Sequence, residues 1–135
     1  MEIARVRHEP GFDTGLTCQV SADVKYFPSL VLDGPFVMLF YEALLRAEPR
    51  FGPYGVQEIS SASWIDIARC AEEVEDRLRS GQVIPADIAL LGSGELGRLL
   101  KSTGGRRRVT EALQLTSLWL REAADHHPAL TFYGA

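Results

Sequence analysis

Trp64, Ile67, Ala71, Val74 and Leu78 recur at alternating intervals of three and four residues, a spacing that places all five on one face of a helix. Ser63, with Asp66 three residues later, reads as a variant of the capping box, and Ser80-Gly81 reads as a stop. The spacing therefore predicts a helix over 63–80. A helix with one broad apolar face draws most of its stability from whatever covers that face. The rest of the chain has to supply the cover.

Two further helices and several strands are legible. Residues 109–125 carry Leu113, Thr116, Trp119 and Leu120 in a helical pattern that Pro128 brings to an end. Asp33-Gly34-Pro35 reads as a helix start, because a carboxylate accepts the free first-turn N–H groups and proline loses nothing there. Val37, Phe40, Tyr41, Leu44 and Leu45 give that helix its apolar face, Glu42 and Arg46 lie opposite, and Pro49 ends it near Ala47. After a turn cluster of Pro10, Gly11, Asp13 and Gly15, Leu16, Cys18 and Val20 alternate with Thr17, Gln19 and Ser21, as in a half-buried strand. Residues 24–27 extend that strand or pair with it. Residues 56–59 form another, and in 129–133 Leu130 and Phe132 face one way while Thr131 and Tyr133 face the other. Residues 2–8 read as a short opening strand, although Ile3 and Val6 fall out of period-two register. Strands and helices do not alternate strictly. The expected fold is α+β: one domain over 1–135, with a small, mostly antiparallel sheet packed against three or four helices.

Composition sets the outer limits. The 135 residues are 46% apolar and 24% charged, with no repeat, low-complexity stretch or long polar linker. A chain of this length buries about two thirds of its unfolded surface and needs neither disulfides nor a structural metal to fold. Cys18 and Cys70 are accordingly expected as buried apolar thiols of an intracellular protein, and a secreted disulfide scaffold is excluded. The first ten residues already carry Glu2, Arg5, Arg7 and Glu9 and lack the apolar core of a signal peptide, so a cytoplasmic location is expected. The longest strongly apolar run, 36–41, stops at Glu42, far short of the roughly 20 residues a membrane span needs. That run is read as core rather than as an oligomer interface. A net charge of −4 and a pI near 5.3 argue against general nucleic-acid binding and favour a basic partner.

Gly92-Ser93-Gly94-Glu95-Leu96-Gly97 spells G-x-G-x-x-G after the apolar run 88–91. It resembles the phosphate-binding turn of Rossmann-type nucleotide-binding proteins, in which glycines let the backbone approach a pyrophosphate at a helix N-terminus. That resemblance implies the alternative function, a small nucleotide- or phosphate-binding enzyme domain. Three departures oppose it. Pro85 leaves room for only a short preceding strand, the 43 residues left are too few for the missing strands, and Glu111, at the spacing of the ribose-binding acid, falls in a helical pattern. The other reading makes Gly92, Gly94 and Gly97 the turn and cap of a short helix. Arg106, Arg107 and Arg108 follow Gly104-Gly105, and residues 92–108 are net +4, so the remainder carries −8. A loop of that charge receives a phosphate or an acidic surface, or is simply solvated.

His126 and His127 are adjacent, so both rings cannot face one metal from a helix, and no Cys or carboxylate cluster completes a ligand set. Their place in a last helical turn suits a positive charge against the helix dipole. His8 stands alone, and no nucleophile–base arrangement is indicated. No cofactor and no metal are expected.

The polar face of the 63–80 helix carries Asp66, Glu72, Glu73 and Asp76, with Arg69 and Arg77 among them. Glu73 with Arg77 and Glu75 with Arg79 are favourable i, i+4 pairs, whereas Glu72 and Asp76 form a like-charge pair costing a few tenths of a kcal/mol. This face is either a solvated helix surface or a binding surface. The order 56–59, Ser60-Ser61-Ala62-Ser63-Trp64, a long acidic helix, Trp119-Leu120 and His127-Pro128-Ala129-Leu130-Thr131-Phe132-Tyr133 resembles small bacterial immunity proteins of polymorphic toxin systems, over about half the chain. The resemblance implies a cytoplasmic, non-enzymatic domain that binds a cognate protein toxin and blocks it, setting acidic side chains against a basic surface. Asp66, Glu72, Glu73 and Asp76 are then the partner-binding residues.

Overall fold

Strand β5 (Ala129–Tyr133) alternates as its sequence requires: Leu130 and Phe132 are buried, while Ala129, Thr131 and Tyr133 are half-buried. It lies inside a five-stranded sheet of order β1-β3-β2-β5-β4, formed with β1 (Ala4–Arg7), β2 (Thr17–Ser21), β3 (Ser29–Asp33) and β4 (Val56–Ser60). Every pairing is antiparallel. These positions come from a computed structural model that describes residues 2–13, 17–23, 28–52, 54–81 and 94–134, the side chain of Glu95 excepted. The α+β architecture expected from the sequence is what the chain adopts.

The helices are α1 (Gly34–Val37), α2 (Tyr41–Ala47), α3 (Ser61–Arg79), α4 (Glu95–Leu100) and α5 (Thr103–His126). Their apolar sides and one face of the sheet enclose a single core, in which Cys18, Val20, Leu30, Leu32, Leu130 and Phe132 meet Phe36, Phe40, Trp64, Ile67, Leu113 and Leu120. Helices α3 and α5 form the principal helix pair. Phe51 stacks edge-on against both Phe132 and Tyr41, with ring centroids 4.8 and 5.7 Å away, and ties the α2 side to the sheet. On the opposite sheet face, Gln19 bonds Gly11 and Asp13, Arg5 and Arg7 pair with Asp13, and Phe12 stacks on Tyr133, so the stretch after β1 lies across β2 and β5.

Several expected boundaries move. The N-cap of α3 is Ser60 rather than Ser63: the Ser63 N–H donates to Ser60 Oγ, and the Ser61 N–H bonds Pro128 O, anchoring the helix start to the entry of β5. At its other end Gly81 has φ 73°, and its N–H donates to Leu78 O, as the expected stop requires. Asp33 is the N-cap of α1, but its carboxylate makes no cap hydrogen bond. The single helix expected over 33–47 is interrupted by a 3-10 turn, Met38–Phe40, where Phe40 leaves helical geometry at φ −127°, ψ 26°. The opening strand begins at Ala4, after Ile3, which removes the register conflict. Strand β3 has no counterpart in the sequence reading. The strand read over 24–27, and Leu16, lie outside the described residues.

Helix α5 starts six residues before the expected 109. Ser102 caps it by accepting the Gly105 N–H at 3.0 Å, and Gly104, Gly105 and the three arginines are helical. Gly105 is needed there. A Cβ at this position would fall on the Leu99 backbone, where α4 crosses α5. Among the described residues no helix is long and apolar enough to cross a membrane. Neither cysteine is in a disulfide; Cys18 is buried and Cys70 half-buried.

Candidate functional site

Asp66, Glu73 and Asp76 project from the side of α3 opposite its core stripe and are exposed. Asp66 accepts from Arg69 Nη1 at 3.1 Å, an i, i+3 pair with both side chains mostly in solvent. Glu72 sits apart from them, on the flank facing α5. There it receives Arg121 in a two-pronged pair, Nε to Oε2 at 2.7 Å and Nη2 to Oε1 at 2.6 Å. The Arg121 hydrogen bond holds the Glu72 carboxyl below the usual carboxylate range, against a smaller opposing effect of burial. Glu72 thus braces α3 on α5 while the other three acids face outward. Of the two i, i+4 pairs read from the sequence, Glu75 with Arg79 forms at 2.8 Å. Between the acidic face and the core, burial and the Glu73 carboxylate push the Cys70 thiol above its ordinary value.

The glycine motif divides. Gly92 and Ser93, with the preceding run 88–91, lie outside the described residues. Gly94 is the exposed N-cap of α4, and Gly97 is buried inside this six-residue helix. The arginines expected in a loop instead occupy the first turns of α5. Arg106 Nε donates to Leu100 O at 2.8 Å, and Arg107 pairs with Glu111 at 3.3 Å. Arg106 and Arg107 line a polar cleft of about 420 Å3 with Arg79, Gly81 and Thr103, between the end of α3 and the start of α5.

Compared with models of protein families, with curated proteins and with solved structures, the chain matches none.

A second surface was not singled out by the sequence reading. The chain has three histidines, and His8, His126 and His127 all line one groove of about 680 Å3. Its walls are Val6, Leu115, Leu118, Trp119 and Ala123, with Leu130 at its base. The signal was present in the sequence. Leu115, Leu118, Trp119, Glu122, Ala123 and His126 keep three-four spacing along α5, a second stripe beside the core stripe of Leu113, Thr116 and Leu120. Read from the sequence alone, the adjacent His126 and His127 point to the helix dipole rather than to a shared metal, and nothing there links them to His8. Among the described residues no group of three His, Cys, Asp or Glu side chains is placed to hold a metal ion.

Proposed function

We propose that this chain is a non-enzymatic immunity protein that captures a cognate bacterial toxin on the outer face of α3 and blocks it there. The observation that carries the reading is the outward projection of Asp66, Glu73 and Asp76 from one face of a 19-residue helix whose other face is built into the core. Such a helix presents its charges without ordering a loop on binding, which lowers the entropic cost of association. The net charge of −4 steers a basic toxin toward this side and raises the association rate at low salt. The exposed Asp66–Arg69 pair contributes little to stability, so an incoming arginine displaces Arg69 at small cost. Glu72 enters as the brace: through Arg121 it fixes how far α3 stands from α5.

The test is capture from native-host lysate with the tagged chain at low and moderate salt, followed by affinity measurement with the purified partner. A basic toxin bound at one-to-one stoichiometry is expected, with affinity falling as salt rises. Changing Asp66, Glu73 and Asp76 together to lysine is expected to weaken capture by about a hundredfold with the circular dichroism unchanged. Unaltered affinity in that triple variant would remove α3 as the site. Failure to inhibit the captured protein's activity would remove the immunity reading.

A further inference from the structure

We infer that the groove beside α5 is a binding site for a small amphipathic amine, an apolar body carrying one protonated nitrogen. This inference is independent of the acidic face: Arg121, which meets α3, and the groove-lining Leu115, Trp119 and Glu122 lie on different sides of α5. The volume, about 680 Å3, falls within the range of small-molecule sites, and most of the lining is aliphatic or aromatic with a few convergent polar groups. Leu118 is 59% exposed on its outer lip, an apolar side chain that the fold leaves uncovered.

The polar groups select the head. Glu122 is the one carboxylate among the described residues that line the groove, and none of those residues is a lysine or an arginine. His126 Nδ1 lies 2.9 Å from the Glu122 carbonyl oxygen, a contact that holds the ring against the last turn of α5 at the groove's end. The groove also runs along the last three turns of a 24-residue helix, whose C-terminal carbonyls carry partial negative charge. Carboxylate and helix end both call for a donor with positive charge. Trp119 adds an aromatic wall suited to a cation or to a flat apolar body. An anionic head would meet Glu122 and the helix end with the wrong sign.

The experiment uses the whole chain and three probes with one apolar body: phenylbutylamine, phenylbutanol and phenylbutyrate, titrated near neutral pH. The readout is the indole N–H resonance of Trp119, with that of buried Trp64 as internal reference. We expect the Trp119 signal to move and the Trp64 signal to stay, with the amine bound about fivefold tighter than the carboxylate and the alcohol between them. Glu122→Gln is expected to bring the three affinities together without loss of fold. Ala123→Leu fills the groove and is expected to weaken all three; Leu118→Ser, at an exposed position, is expected to do so without touching the core. Overturning results are a Trp119 signal unmoved by every probe, a carboxylate bound as tightly as the amine, or binding unchanged in both groove variants. Concentration-dependent dimerisation that Leu118→Ser abolishes would also overturn it, assigning the groove to a second copy of the chain.

Discussion

The indole Nε1–H of Trp64 donates to the backbone carbonyl of Leu130 at 2.9 Å, a fully buried bond between residues 66 positions apart. It joins the first turn of α3 to the middle of β5, and with 1% of its surface exposed Trp64 is among the most deeply buried side chains. Trp64→Phe keeps much of the apolar contact but leaves the bond unmade, and is expected to cost about 2 kcal/mol. Trp64→Ala is expected to cost about 4 kcal/mol, since a large cavity is added. Urea midpoints of the two variants check both the size and the order.

What the sequence disclosed depended on how many faces of an element are buried. Helix α3 and strand β5 each bury one side, and their three-four and two-residue rhythms stood out. Strand β3 lies between β1 and β2 with Leu30, Val31 and Leu32 all buried, so it has no alternation to read, and Gly34-Pro35 directly after it drew attention to the helix start instead. The start of α5 was hidden for a different reason. Gly104-Gly105 signals a break, and only the crossing of α4 shows why glycine stands in a helix. The acids of α3 were found as a set, yet nothing local distinguishes Glu72, whose partner Arg121 is 49 positions away. The three histidines belong together only once the ends of β1 and α5 have been brought side by side.

The two glycines of the α5 first turn are expected to respond in opposite ways to the same change. Gly104 has open space where a Cβ would stand, so Gly104→Ala is expected to gain about 0.5 kcal/mol or more from helix propensity. Gly105→Ala drives a methyl into the Leu99 backbone and is expected to destabilise by about 2 kcal/mol or more. Thermal melts of the pair, recorded together, test the close crossing of α4 and α5.

Glu72 and Arg121 make the fold sensitive to acid. Because the folded-state value of Glu72 is lowered, chiefly by the Arg121 hydrogen bond, its contribution is present above the ordinary carboxylate value and disappears as pH falls through the lowered one. Both side chains are more than a third exposed, so the pair is worth about 1 kcal/mol, at the upper end for surface pairs because it is bidentate. Glu72→Gln is expected to lose this amount at neutral pH and to differ little from the parent at the acid end. Denaturation at a series of pH values measures the convergence.

Burial first, and the Glu73 carboxylate next, raise the Cys70 value, so the thiolate is scarce at neutral pH. In the folded protein Cys70 is expected to react with iodoacetamide more slowly than a free thiol, and buried Cys18 only after unfolding. Glu73→Gln is expected to accelerate Cys70. The raised value also implies that stability falls as pH climbs through the thiol range, because ionisation is then easier in the unfolded chain. Mass spectrometry of timed alkylation reads both cysteines in one experiment.

The placement of β5 between β2 and β4 imposes an order on the folding of the chain. Strands β1, β2 and β3 lie within the first 33 residues and pair with one another, so this half can assemble from local contacts while synthesis continues. Strand β4 leaves the ribosome next, yet its sheet partner is β5 alone among the described strands, and β5 comes last of the five. From residue 60 until residue 133 has emerged, β4 and the apolar face of α3 wait without the strand that joins them to the rest. The nascent chain is most open to aggregation in that interval, and any factor that shields it need act only until β5 is inserted.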